Sequence, residues 1–162
     1  MRQIVTGPCG EKERAALAAL FYRRLSRDAV FSAAFPDPKA GLSHCRQFVE
    51  EYGDGGVIHR LCAGDNVLAA ALWSPPGSPV PSPTWEGASE EDGWKLYLLA
   101  SEVPGGGREL IAYARGLWHG RVLLTVCGAP WQADYFRRCG FRAVASTPFG
   151  TVLRLGPGAG TL

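Results

Sequence analysis

Apolar and polar residues along this chain follow two periods, and each change of period marks an element. Gln3-Ile4-Val5-Thr6 reads as a short strand, stopped by Gly7-Pro8 because proline cannot donate to a ladder. From Glu11 to Leu25 the period becomes helical: Leu17, Leu20, Phe21 and Leu25 share one face, and acidic residues occupy the first turn, where the helix dipole favours them. Asp28 to Lys39, with Phe31, Phe35 and Pro36-Asp37-Pro38, reads as an aromatic-rich connection. A second helix carries Leu42, Cys45, Phe48, Val49 and Tyr52 and ends at Gly53-Asp54-Gly55-Gly56. The runs 57–63 and 67–73 flank Gly64-Asp65-Asn66, which predicts an antiparallel hairpin. Pro75 to Gly93 is rich in Pro, Ser, Gly and acids, lacks a core pattern apart from Trp85, and is expected to be a surface loop.

The stretch from Trp94 to Phe141 has the densest pattern. Residues 94–100 form an apolar, aromatic run of strand length, broken by Ser101-Glu102-Val103-Pro104 and then Gly105-Gly106-Gly107. Helical spacing follows at once, with Leu110, Ile111, Ala114, Leu117 and Trp118 on one face up to Gly120. Residues 121–126 read as another strand, and Trp131 to Cys139 as a further helix. A glycine turn between a buried strand and a helix N-terminus presents backbone N–H groups at the positive end of the dipole. Such a turn suits a phosphate or another anion. Val144 and Ala145 suggest a strand that returns through Thr147-Pro148-Phe149-Gly150 into residues 151–155. Residues 156–162 are expected to be a flexible C-terminal tail on a single domain spanning 1–155.

Two short phrases within this pattern resemble a known family. Gly105-x-Gly107-x-x-Leu110-Ile111 is similar to the second half of the pyrophosphate-binding motif of the GNAT superfamily of acyl-CoA-dependent N-acetyltransferases. Tyr135-Phe136-Arg137-Arg138-Cys139-Gly140-Phe141 looks like that family's closing helix-to-strand signature, and Trp73-Ser74-Pro75-Pro76 is similar to the phrase on which its third strand often ends. The resemblance covers nearly the whole chain in layout, but only short motifs in identity. It implies an α/β (α+β mixed) fold with a mixed, mostly antiparallel sheet of about six or seven strands and helices on both faces, which alternating α and β signals also favour. It further implies acetyl-CoA as co-substrate and a small-molecule amine as acceptor. In the family the connection after the first helix commonly helps to wall the acceptor site. On this reading Gly105, Gly106, Gly107 and Arg108 meet the pyrophosphate, with Val103 in the same loop, while Leu99, Ala100 and Ser101 border the thioester.

Composition narrows the choice. At 162 residues, 46% hydrophobic and 20% charged, the chain suits one soluble domain able to bury a core. A net charge of +2 gives no bulk attraction to nucleic acid, and no segment approaches a membrane span. The five cysteines, Cys9, Cys45, Cys62, Cys127 and Cys139, are spread without a C-x-x-C pair and are expected to be reduced, buried thiols. With no long apolar region at Met1-Arg2-Gln3-Ile4-Val5, a cytoplasmic protein is expected, as a monomer or homodimer.

Aminolysis of a thioester needs a base for the amine proton and an acid for the leaving thiolate. Glu102 is the candidate base, standing where the family pattern begins with Gln or Arg, where a carboxylate repels a pyrophosphate unless it turns away; alternatively the loop is shortened, with Val103-Pro104 matching the family's Val-x-Pro and the basic residue absent. The family often places its acidic Tyr where this chain has Phe136, which has no proton to give. Tyr135 is the candidate acid beside it, although one helix step rotates a side chain by about 100°. His44, His59 and His119 show no metal-ligand spacing and are read as structural, with His59 on an alternating strand facing either the cleft or solvent. Phe21, Tyr22, Phe31, Phe35, Trp73 and Trp85 line an acceptor pocket or build the core. Glu102 and Phe136 also leave open a GNAT-like enzyme repurposed for other biosynthetic chemistry, or a non-catalytic binding module.

Overall fold

Two helix starts in this chain are fixed by aspartates. Asp28 accepts hydrogen bonds from the amides of Val30 (2.8 Å) and Phe31 (3.3 Å), and Asp37 accepts one from Lys39 (3.2 Å). These caps correct the expected connection at Asp28–Lys39. It holds a short helix, α2 (Ala29–Ala34), and the next helix, α3 (Pro38–Tyr52), starts at a proline whose fixed φ suits a first helical position. Cys45 and Val49 are buried on the expected face of α3, and the departure is at its edge. Gly41, Cys45 and Val49 are buried at i, i+4 and i+8, while Leu42 is 43% exposed.

The computed structural model describes residues 1–53, 57–77, 92–148 and 150–157. The expected loop at Pro75–Gly93, including Trp85, and the tail beyond Pro157 lie largely outside the described residues. The described elements run β1 (Arg2–Val5), α1 (Glu11–Leu25), α2, α3, β2 (Ile58–Ala63), β3 (Asn66–Ser74), β4 (Trp94–Ser101), α4 (Gly106–Leu117), β5 (Leu123–Cys127), α5 (Pro130–Arg138), β6 (Arg142–Thr147) and β7 (Gly150–Leu155). The strands form a seven-stranded sheet in the order β1-β2-β3-β4-β5-β7-β6. The pairs β1/β2, β2/β3, β5/β7 and β6/β7 are antiparallel, and β4/β5, joined through α4, is parallel. The expected mixed, mostly antiparallel sheet is what forms. Among the described residues no helix is long and apolar enough to cross a membrane.

Residues divide into two compact units. The first comprises Met1–Leu72 and Leu98–Leu110, the second Trp73–Tyr97 and Ile111–Leu162. In the first, the β2–β3 hairpin turns at Gly64 with φ 59°, a positive value that glycine adopts without Cβ strain. Every residue from Ile58 to Cys62 is buried, so β2 is covered on both faces. Leu17, Ala18, Leu20 and Phe21 form the buried stripe of α1. Gly41 brings α3 against Tyr22 of α1; a Cβ there would stand 2.7 Å from the Tyr22 ring.

Arg60 of β2 is 1% exposed yet charged. Its Nε donates to Glu13 at 2.9 Å, and its Nη1 donates to the carbonyls of Gly7 (2.5 Å) and Ile58 (3.0 Å). A guanidinium can be buried only when paired in this way. Its neighbour His59 is fully buried, which corrects the expectation that it faces the cleft or solvent. Burial, reinforced by the Arg60 charge, pushes the His59 imidazole down to about 4, so it is neutral near pH 7.

The second unit is organised on tryptophans and phenylalanines. Trp118 stacks on Trp94 with centroids 3.6 Å apart and meets Trp73 edge-on at 5.2 Å. Phe136 of α5 meets Phe141 at 5.3 Å. None of the five cysteines forms a disulfide; Cys139 is only half-buried, the others are buried as expected.

Candidate functional site

The glycine turn after β4 belongs wholly to the first unit. Its entry is fixed by Ser101, whose hydroxyl donates to the Val103 carbonyl (2.7 Å) and accepts from the Val103 amide (3.2 Å). This local side-chain bonding ends the strand, and the Glu102 amide ties the same end to Leu68 of β3 at 2.9 Å. Gly105 then takes φ +76°, and a side chain built there would meet no atom within 4 Å. Gly106 is a glycine for the opposite reason. A Cβ there would overlap the Ser101 hydroxyl and approach Ala69 and Val103 to 3.1 Å. Thus Gly105 is required by its backbone conformation and Gly106 by close approach.

Helix α4 begins at Gly106, and its first i→i−4 bond runs from the Glu109 amide to the Gly105 carbonyl at 3.0 Å. The amides of Gly107 and Arg108 therefore precede the helical ladder, where partial positive charge concentrates, while the Gly106 amide turns back to the Val103 carbonyl at 3.3 Å. Gly107 is buried and Arg108 exposed. Open space before Gly105, N-terminal amides and an arginine make a donor set suited to a pyrophosphate. Along β4, Leu99 is half-buried, Ala100 buried and Ser101 exposed. Pairing of β4 with β5 is confined to Trp94↔Leu123 and Lys95↔Leu124, followed by a bond from the Thr125 hydroxyl to the Leu96 carbonyl at 3.3 Å. From Leu98 onward β4 belongs to the first unit.

Glu102 is half-exposed and bound by Arg23 of α1, with Nη2 to Oε1 at 2.6 Å. The carboxylate on the glycine turn thus has a cation that holds it. Arg23 was not picked out by sequence reasoning. Its partner is 79 positions away, and an arginine in the last turn of a helix carries no signal of its own.

Tyr135 belongs to the second unit, on α5. It is half-buried, and its ring meets Phe136 edge-on at 5.2 Å. Phe136 itself is 8% exposed, so this position is a packing position in the present chain. Among the other expected aromatics, Phe21 and Trp73 are core, whereas Tyr22, Phe31 and Phe35 are half-buried. Phe35 stacks on His44 at 4.4 Å, and His44 meets Phe48 at 4.5 Å; burial lowers the His44 imidazole below its ordinary value. Burial pushes the Cys45 thiol up to about 11, which makes it a packing group and not a nucleophile. Among the described residues no three His, Cys, Asp or Glu side chains gather to hold a metal.

Solved structures share this architecture over the whole chain. The N-acetyltransferase of Staphylococcus aureus superposes with a TM-score of 0.72 over 94% of this chain and 100% of its own, at 11% identity. The fold is that of the GNAT acetyltransferases. The histone acetyltransferase HPA2 and related acetyltransferase of Corynebacterium glutamicum matches with a TM-score of 0.70, covering 99% of each chain at 16% identity. The Bacillus subtilis N-acetyltransferase YlbP, solved in complex with coenzyme A, matches with a TM-score of 0.58 over 97% of each chain at 14% identity. No protein-family model and no curated protein matches the sequence. At these identities the likeness is one of GNAT fold.

Proposed function

We propose that this GNAT-fold chain is an N-acetyltransferase that takes acetyl-CoA as co-substrate and acylates a small-molecule amine in the cytoplasm, as a monomer or homodimer. The observation that carries the reading is the turn itself. A positive-φ Gly105 with open space before it feeds the N-terminus of α4 at the end of β4. Gly105 and Gly107 would hold the pyrophosphate through backbone amides, with Gly106 and Val103, joined by their own backbone bond, shaping the loop and Arg108 adding a charged partner; Leu99, Ala100 and Ser101 would border the acyl end. When bound, acetyl-CoA supplies a thioester whose carbonyl carbon bonds to the amine nitrogen as the C–S bond breaks, the sulfur leaving as a thiol with one amine proton. Glu102 is the group that receives the ammonium's other proton and passes it to solvent. Tyr135 is the remaining candidate for the proton at sulfur. The packing of Phe136 against Phe141 and Tyr135 favours a second reading, a GNAT-fold enzyme with other chemistry.

Calorimetric titration with acetyl-CoA, with CoA as control, tests the proposal. Micromolar binding is expected, and Arg108→Glu should weaken it by at least about tenfold, the effect of one charge-assisted phosphate bond turned to repulsion. No binding at millimolar ligand would refute the acetyltransferase reading.

A further inference from the structure

We infer that the acceptor is a zwitterionic amine of the amino-acid class, its ammonium received by Glu102 and its carboxylate by Arg23. This inference rests on the acetyltransferase reading above and names the acceptor chemistry of the same site. Arg23 and Glu102 meet at 2.6 Å with 52% and 47% of their side chains exposed. An ion pair so open to water contributes little to folding, because solvent and salt screen it. It is therefore exchangeable at small cost to the protein. The main chain of Glu102 is tied to β3 by its amide bond to Leu68, which fixes where on the turn the side chain is rooted.

The charges decide what exchanges best. A guest with one ammonium and one nearby carboxylate replaces both halves of the pair at once. Glu102 keeps a cation, Arg23 keeps an anion, and the guanidinium gains planar carboxylate recognition. A simple amine or diamine must instead displace Arg23 from Glu102 and leave two cations facing each other. An anion without an amine has nothing to acylate. The same geometry explains why a carboxylate is tolerated at the turn, since Arg23 neutralises it when no acceptor is present. Arg23 is thus a specificity and positioning residue acting on the acceptor's carboxylate.

The test is an acetyl-transfer assay with free α-amino acids, each paired with its own amide and its decarboxylated amine, run beside acetyl-CoA calorimetry. Free acids should exceed their amides in kcat/KM by about tenfold, the effect of one charge-assisted hydrogen bond. Arg23→Gln should erase that ratio by raising KM for the acids, and Arg23→Lys should restore part of it. Equal or better turnover of amides or diamines, an unchanged ratio in Arg23→Gln, or acetyl-CoA binding with no turnover of any free amino acid would overturn the inference alone. Failure to bind acetyl-CoA would instead sink the reading beneath it. Arg23 is exposed, so its variants are expected to fold.

Discussion

Gly106→Ala tests whether the turn is built by close approach. The new methyl would overlap the Ser101 hydroxyl and press on Ala69 and Val103, both 3.1 Å from its position. Ser101 relieves the overlap by rotating, which forfeits its two bonds to Val103 at 2.7 and 3.2 Å. Lost hydrogen bonds of about 1 kcal/mol each and about 1 kcal/mol of residual crowding are partly offset by up to about 1 kcal/mol of better helix propensity. The net expectation is a loss of about 2 kcal/mol. Ser101→Ala alone removes the same two hydrogen bonds without any overlap, so it should also cost about 2 kcal/mol. The double variant loses those bonds only once and has no hydroxyl to displace, although Ala69 and Val103 still crowd the methyl at 3.1 Å, so it should cost about 2 kcal/mol against a sum of about 4, a coupling of about 2 kcal/mol. Urea unfolding of the four proteins measures each value with a common slope. Strict additivity, or a neutral Gly106→Ala, would show that the Ser101–Gly106 contact does not set the turn.

Two further outcomes concern stability. The His59 imidazole titrates at about 4 in the fold and near 6.5 when unfolded. Above 6.5 both states are neutral and nothing changes. As pH falls from 6.5 to 4 only the unfolded state takes up the proton, so up to about 3 kcal/mol is lost across that window and no more below it. NMR titration should show the His59 ring neutral at pH 5, and a midpoint near 6.5 in the folded protein would contradict its burial. For the Arg60–Glu13 pair, Glu13→Gln leaves a buried guanidinium without a counter-charge and should cost about 3 kcal/mol. Arg60→Met with Glu13→Gln should cost less than Glu13→Gln alone in chemical denaturation, and the reverse order would mean that the carbonyls of Gly7 and Ile58 suffice for the charge.

Legibility varied with the range of the interactions involved. The β4–turn–α4 unit was readable because its rules are local: a strand run, Pro104, a glycine needing positive φ, and apolar residues at helical spacing. The β2–β3 hairpin was readable for the same reason. Helix α2 was missed because six residues carry too little periodicity, and its start depends on the Asp28 cap. The burial of His59 was missed because strand alternation assigns faces without saying whether both are covered. Phe136 was recognised as a residue without a proton to give, but only packing shows it closing against Phe141.

Apart from α2, the sequence by itself determined the order of elements and the glycine turn after β4, since propensity, turn geometry and helix dipoles act over a few residues. It also placed Glu102 on that turn. Tertiary structure alone decided what the carboxylate meets. Arg23 and Glu102 lie 79 positions apart, and no local rule links them. Their encounter follows from the path of α1 and β4 through the first unit, and contacts of that range are set by burial of the whole core. The same holds for Arg60 and Glu13, 47 positions apart, where a charge is tolerated only because the fold brings its partner.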